Sequence, residues 1–363
     1  MIVRITWLRV VLTIVVLATL GTTVAWLGII NIGASTGHWA ITDKFLHWSM
    51  RNAVRTQSAL TIAEPALDPS GITSAAGHYA ATCAFCHGAP GEPLAPSMQS
   101  ATPPAPDLRD TAGEWNDRQL HWIVKHGVKF TAMPAWPAQQ RRDEVRRMAA
   151  FVRLLPDMSP VRYRELAYGG PGGRVVGGRA LTLEGALPDC ARCHGADGRG
   201  RGQPDIPILG GQHPAYLFAS LEGYADGRRH SAVMQTAAVR VGREARAALA
   251  RHYAALPGLA APQSPPPPAR TEAERLAERV VASGLREANL PACASCHSGR
   301  GRRLYPVLAG QRAPYLAQRL RLWRGEPGMV EAKRPNEPMA VIARRIPEEL
   351  IEPLALYYSR QAP

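Results

Sequence analysis

Apolar residues run unbroken near the N-terminus and then recur at helical spacing along most of the chain. From Val10 to Ile30 the sequence reads VVLTIVVLATLGTTVAWLGII, 21 residues without a charge. About 20 apolar residues span the hydrocarbon layer of a bilayer, so this segment is predicted to be a transmembrane helix. A signal peptide has a shorter apolar region that ends at a small-x-small cleavage site. The following Asn31-Ile32-Gly33-Ala34-Ser35 is no convincing site of that kind. Arg4 and Arg9 precede the span, and a positive flank stays cytoplasmic. The expected location is therefore a bacterial inner membrane, single-pass, with the rest of the chain in the periplasm. Residues 37–54 carry Trp39, Phe45, Leu46 and Trp48, a pattern that predicts a helix lying at the membrane interface. Further on, Leu120, Ile123 and Val124 share one face of a predicted helix over Asn116–Gly127. Arg141–Leu155 reads as a second amphipathic helix, stopped by Pro156.

Composition divides the remainder into units. Gly 33 and Pro 32 among 363 residues favour loop-rich, helical domains over long sheets. Gly169–Gly178 (GGPGGRVVGG) and Ala261–Ala269 (APQSPPPPA) read as linkers, the second an extended proline-rich spacer. The expected organisation is an anchor over 1–35 and an interfacial segment over 36–70. Domains are then expected over 71–157, 172–257 and 270–361, with the proline-rich linker at 258–269. The formal charge is +14, from 43 Lys and Arg against 29 Asp and Glu. These basic residues are dispersed and no nucleic-acid motif accompanies them. A surface that steers acidic redox partners or anionic headgroups suits the charge better.

All six cysteines fall in three copies of one motif: Cys83-Ala84-Phe85-Cys86-His87, Cys190-Ala191-Arg192-Cys193-His194 and Cys293-Ala294-Ser295-Cys296-His297. C-x-x-C-H marks covalent attachment of a c-type haem. Its thiols add across the two vinyl groups, and the adjacent histidine binds the iron. Cys83, Cys86, Cys190, Cys193, Cys293 and Cys296 are thus candidates for three covalent haems, with His87, His194 and His297 as iron ligands. Zinc needs four ligands close together, whereas these pairs stand about 105 residues apart. Neither a redox dithiol nor a structural disulfide calls for a histidine after every pair.

The first unit resembles a class I cytochrome c domain. A helix leads into C-x-x-C-H, a loop follows, Thr131-Ala132-Met133-Pro134-Ala135-Trp136 puts a methionine 46 residues after His87, and a helix closes the unit. The resemblance implies Met133 as the distal iron ligand; Met98 lies too near the motif, and Met148 belongs to the closing helix. Residues 172–257 and 270–361 repeat one another. Gly211-Gln212-His213-Pro214-Ala215-Tyr216-Leu217 aligns with Gly310-Gln311-Arg312-Ala313-Pro314-Tyr315-Leu316, each after P-x-L (Pro207-Ile208-Leu209 and Pro306-Val307-Leu308). This tandem is similar to the cytochrome c4 family of di-haem proteins. The likeness implies Met234 and Met339 as distal ligands, with Met329 competing for the third. It also implies that a proline carbonyl, from Pro106, Pro207 or Pro306, accepts a hydrogen bond from each proximal imidazole and fixes its orientation. The fold class expected is mainly α: one N-terminal transmembrane helix followed by three all-α class I cytochrome c domains.

Iron held by His and Met on both sides is closed to substrate and suits electron transfer. No dinucleotide fingerprint, copper-ligand cluster or second span stands in the sequence. The expected role is a membrane-anchored tri-haem electron carrier, with no bond-making reaction of its own. It would run from a quinol-oxidising complex or periplasmic dehydrogenase toward a terminal oxidase, docked to such a complex or part of it. Two alternatives stay open. One is a haem enzyme with a labile distal site for peroxide or a sulfur compound; the other is the cytochrome subunit of a membrane alcohol or aldehyde dehydrogenase. Arg141, Arg142, Arg146 and Arg147 read equally as a docking patch or a solvated helix face. His38, His47, His121, His126, His213, His230 and His252 read as surface, interfacial or packing residues. Trp115, Trp122 and Trp136 read as core.

Overall fold

The computed structural model describes residues 6–63, 67–170, 178–259, 269, 271–298, 303–325 and 337–361. The longer helices are α1 (Trp7–Trp26), α2 (Ala40–Thr61), α3 (Ile72–Thr82), α4 (Asp117–His126), α5 (Arg142–Leu154), α6 (Pro160–Tyr168) and α7 (Leu183–His194). They continue as α8 (Pro214–Ala225), α9 (Ala232–Val239), α10 (Arg243–Ala255), α11 (Glu272–Ser283), α12 (Ala313–Arg324), α13 (Pro338–Ala343) and α14 (Glu348–Arg360). Among the described residues there are isolated β-bridges but no strand. The proline-rich linker falls almost wholly outside the described residues, as does Met329.

Helix α1 is long and apolar enough to cross a membrane, and none of it is buried against the rest of the chain. A span and a signal sequence both fit that description. Its threonines keep the helix apolar outside by bonding inward: the hydroxyls of Thr13, Thr19, Thr22 and Thr23 each donate to the carbonyl four residues earlier, at 2.8–2.9 Å. Helix α2 presents Phe45 and Trp48, and its N-cap is Trp39, all three more than half exposed. Its second half packs on the first core, where Arg51 pairs with Glu114 at 2.6 Å and stacks 4.6 Å from the Trp115 ring.

Three apolar clusters organise the rest. In the first, α3, α5 and α6 bury Tyr79, Phe151 and Tyr163, with the Tyr79 and Phe151 rings 5.2 Å apart. Full burial of such a ring stabilises by about 1.5–3 kcal/mol. The second gathers Ala186, Leu217, Leu249 and Tyr253; the third gathers Val280, Leu316, Leu350, Ile351 and Leu354. Local chemistry starts the helices that build them. Asn116 and Gln119 form a capping box on α4, and Thr271 and Glu274 form another on α11. At the end of α4, Gly127 has φ +64, and a Cβ there would sit 2.5 Å from the Pro134 backbone.

The second and third clusters are joined by a reciprocal pair of glutamines. Gln212 donates to the Val307 carbonyl at 2.7 Å and accepts from the Val307 N–H at 3.0 Å. Gln311 does the same to Ile208, at 2.9 and 3.0 Å. Both side chains are 5% exposed or less, so each amide satisfies a peptide group that water does not reach.

The first cluster joins the second through buried charge. Arg141, expected on a patch or a solvated face, is only 5% exposed. It holds Asp143 at 2.8 Å and Glu144 at 3.1 Å, and donates to the His230 carbonyl at 2.8 Å. A 3.6-residue period distinguishes faces but not whether a basic face meets solvent or another core. Burial raises the pKa of Asp143, but Arg141 outweighs it and holds that carboxyl at about 2. For Glu144 burial prevails, and its pKa is raised.

Two predictions follow from this packing. Gln311→Ala leaves the Ile208 peptide buried and unpartnered, so stability should fall by about 1–3 kcal/mol. An unchanged urea midpoint would show that the glutamine pair contributes nothing. Separately, burial of His78, 4.9 Å from the Trp136 ring, lowers its pKa to about 4, with nearby Arg192 adding to the effect. The unfolded imidazole titrates near 6.5, so between these values the unfolded chain binds more protons. Stability should be full above pH 6.5 and decline by roughly 3 kcal/mol as pH falls to about 4. His78→Phe should flatten that decline; a parent urea midpoint that is the same at pH 7 and pH 5 would refute the assignment.

Candidate haem sites

Each C-x-x-C-H motif sits where a helix ends. In the first, α3 stops at Thr82, Cys83 follows, and a single turn, Ala84–His87, carries the histidine. In the second the motif is the last turn of α7. In the third it is again one turn, Ala294–His297, after Cys293. One turn of helix places both thiols and the imidazole on neighbouring positions of the same face. All six cysteines are unpaired. Burial raises the Cys83 and Cys293 thiols to about 11 and Cys190 to about 12, and it raises Cys193 as well. A redox dithiol or a zinc thiolate depends on a lowered pKa, and burial moves these four thiols the other way. Among the described residues, no group of three or more His, Cys, Asp or Glu side chains gathers around a possible metal ion.

The histidines are oriented by proline carbonyls. His87 Nδ1 lies 2.8 Å from the Pro106 oxygen, and His297 Nδ1 lies 3.0 Å from that of Pro306. A bond at Nδ1 leaves Nε2 free to bind a metal. The Pro207 carbonyl stands near enough to His194 to raise its basicity, but Nδ1 makes no hydrogen bond of normal geometry. Burial pushes the His194 pKa down to about 4, and it lowers His87 and His297 as well. Neutral imidazole is the form that coordinates iron.

A single cavity of about 330 Å³ runs between the second and third motifs. It brings together Cys190, Cys193, His194, Pro207 and Met234 from one half, and Cys293, Cys296, His297, Pro306 and Met339 from the other. The Tyr253 and Tyr358 hydroxyls, both on its wall, are buried without a partner. Arg229 lies 4.4 Å from the Tyr224 ring and Arg319 lies 5.8 Å from the Tyr315 ring, placing two cations on the same wall. An apolar slot with paired thiols, neutral imidazoles, thioethers and a few buried cations fits a haem with its carboxylate edge.

Cys83, Cys86, His87, Pro106 and Met133 are not on that cavity. Met133 is half-buried in a turn stitched to the end of α4: its carbonyl accepts from Val128 at 3.2 Å, and its N–H donates to Thr131 Oγ1 at 3.1 Å. Met98, set aside on sequence grounds, has its sulfur 3.4 Å from Cys86 Sγ. Sequence reading passed over Gln212 and Gln311 as functional residues, although their repeat was visible. It also passed over Arg192, Glu144 and Ser231, which carry no pattern of their own. Arg192 lies between the second pair of cysteines and is 6% exposed; it donates to the Gly77 and Ala167 carbonyls of the first core, both at 2.9 Å.

At Gly77 a Cβ would fall 2.8 Å from Cys193 Sγ. Gly77→Ala should therefore cost about 1–3 kcal/mol by overpacking, read from the urea midpoint of the purified protein. A variant as stable as the parent would show that this wall yields freely.

Residues 71–152 match the family described as cytochrome c oxidase, cbb3-type, subunit III. The thiosulfate dehydrogenase electron acceptor of Stutzerimonas stutzeri is 32% identical over 189 residues, which is 50% of this chain and 85% of that protein. Cytochrome c4 of Thiocapsa roseopersicina is 31% identical over 46% of this chain and 84% of its own. Among solved structures, cytochrome c4 of Acidithiobacillus ferrooxidans is 28% identical and covers 47% of this chain and 98% of its own, with a TM-score of 0.40.

Proposed function

This chain belongs, over about half its length, to the c-type cytochrome family of cytochrome c4 and the thiosulfate dehydrogenase electron acceptors, and we propose that it is an electron carrier holding three covalent haems. The observation that carries the proposal is the cavity between the second and third motifs, where two pairs of thiols, two histidines and two methionines converge. In this reading Cys83 and Cys86, Cys190 and Cys193, and Cys293 and Cys296 hold the three macrocycles. His87 and Met133, His194 and Met234, and His297 and Met339 bind the irons. A haem closed by His and Met supplies one-electron transfer and leaves no open position for substrate. The protein's part is orientation and exclusion of water. Pro106 and Pro306 hold the Nδ1 side of their histidines, and Arg229 and Arg319 offer positive charge to carboxylates at the wall of a mostly apolar cavity.

The carrier is anchored by α1 in a bacterial inner membrane, with α2 resting its exposed aromatics at the interface and the haem units in the periplasm. Its donor is a periplasmic dehydrogenase or quinol-oxidising complex, and its electrons pass toward a terminal oxidase. The Stutzerimonas stutzeri relative is named as the electron acceptor of thiosulfate dehydrogenase, which supports a dehydrogenase as donor. The net charge of +14 favours a partner with an acidic docking face.

Purified protein should carry three haems per chain by pyridine haemochrome assay, show the weak red methionine–iron band, and bind no carbon monoxide when reduced. Met234→His and Met339→His should each lower the potential of one haem, because a second imidazole stabilises the oxidised iron relative to a thioether. Fewer than three attached haems would end the three-haem assignment. Carbon monoxide binding by the parent protein would end the closed-carrier reading.

A further inference from the structure

The first core reaches the second haem site from two directions. On the attachment side, Arg192 extends from between Cys190 and Cys193 into the first core. Asp189 of its own helix steadies it at 2.8 Å, and it donates to the Gly77 and Ala167 carbonyls of the first core. At the segment that leads into Met234 stands Glu144, on the first turn of α5 and 6% exposed. Its Oε1 accepts from the Ser231 hydroxyl at 2.6 Å and faces Arg141 Nη1 at 3.1 Å. Its Oε2 accepts from the Ala232 N–H at 2.8 Å and from Trp136 Nε1 at 3.4 Å.

Ser231 is the N-cap of α9, and its oxygen accepts from the Met234 N–H at 3.1 Å. A hydroxyl has one proton and two lone pairs. With the proton committed to Glu144, a lone pair faces the helix, and the cap is fixed in the sense that Met234 needs. The same carboxylate holds Trp136, three positions after Met133. One side chain thus touches the segments that follow one candidate distal methionine and precede another. Arg141 keeps it there, itself anchored by Asp143 and by the His230 carbonyl.

We propose that Glu144, a residue of the first core, is the positioning residue for the Met234 segment, so that the distal side of the second haem is built jointly by two cores. This rests on the reading of Met234 as that haem's ligand. Without Glu144, α9 keeps its serine but loses two of the contacts that set its depth and rotation beside the cavity. The sulfur would then meet the iron in only part of the population.

The test uses full-length holoprotein and compares Glu144→Ala, Glu144→Gln and Met234→Leu. The readouts are the red methionine–iron band and carbon monoxide binding to the reduced form, which a purely structural loss of stability would not move. Glu144→Ala should lose up to one haem's share of the band and admit carbon monoxide at one haem. Glu144→Gln, which retains an acceptor for Ser231 or Ala232, should recover most of both signals. Should Glu144→Ala fail to fold, Ser231→Ala breaks the same connection and should shift both signals in the same direction. If Met234→Leu removes one haem's share while the Glu144 and Ser231 variants leave band and ligand binding untouched, the positioning role is wrong. If Met234→Leu itself changes neither signal, the ligand assignment beneath it is wrong.

Discussion

Two glutamine amides hold the tandem half of this molecule in register. Gln212 satisfies both the N–H and the carbonyl of Val307, and Gln311 does the same for Ile208. Each of those peptides adjoins the proline whose carbonyl faces a motif histidine, Pro306 beside Val307 and Pro207 beside Ile208. The bonds that fasten one half to the other therefore also set the loop whose Pro306 carbonyl orients the His297 imidazole. A buried amide left without these partners costs about 1–3 kcal/mol, enough to make alternative registers unfavourable. The shared cavity, with both sets of thiols and thioethers on its wall, depends on this register.

The first core is attached by a different kind of force. Its junction contains Arg141, Asp143, Glu144 and Arg147, with Asp205 and Ser231 opposite and Gln318 of α12 bonding Asp143 at 2.9 Å. Such a network adds little net stability over an apolar contact, because desolvation offsets the attraction. Breaking one member costs about 3–5 kcal/mol, since an uncompensated charge remains inside. What the network supplies is definition: the cores meet in one arrangement, the one in which every charge finds its partner. An electron carrier benefits from that, because transfer between fixed centres is set by their separation.

Much of the helical architecture was legible from the chain. The helix read over Asn116–Gly127 is α4, Asp117–His126, because Leu120 and its neighbours repeat at helical spacing and Asn116 caps the start. The closing helix read over Arg141–Leu155 is α5, Arg142–Leu154. The same periodicity was silent on what α5 packs against. Arg141 and Glu144 occupy positions that would be solvated in a lone domain, and they become interior only because a second core covers them. Arg192 was hidden in the same way, because it occupies a variable position of its C-x-x-C-H motif, where the motif itself demands no particular residue.

By itself the sequence determined the local matters: which segments are helical, where they are capped, and that three thiol pairs each carry an adjacent histidine. These follow from forces acting within a few residues, through backbone hydrogen bonds, capping and side-chain period. Only the tertiary structure decided which repeats face one another, that Gln212 and Gln311 exchange partners, and that Glu144 of one core bonds Ser231 of another 87 positions away. Those contacts join residues distant in the chain, and their energy depends on desolvation, which exists only once the surfaces have met.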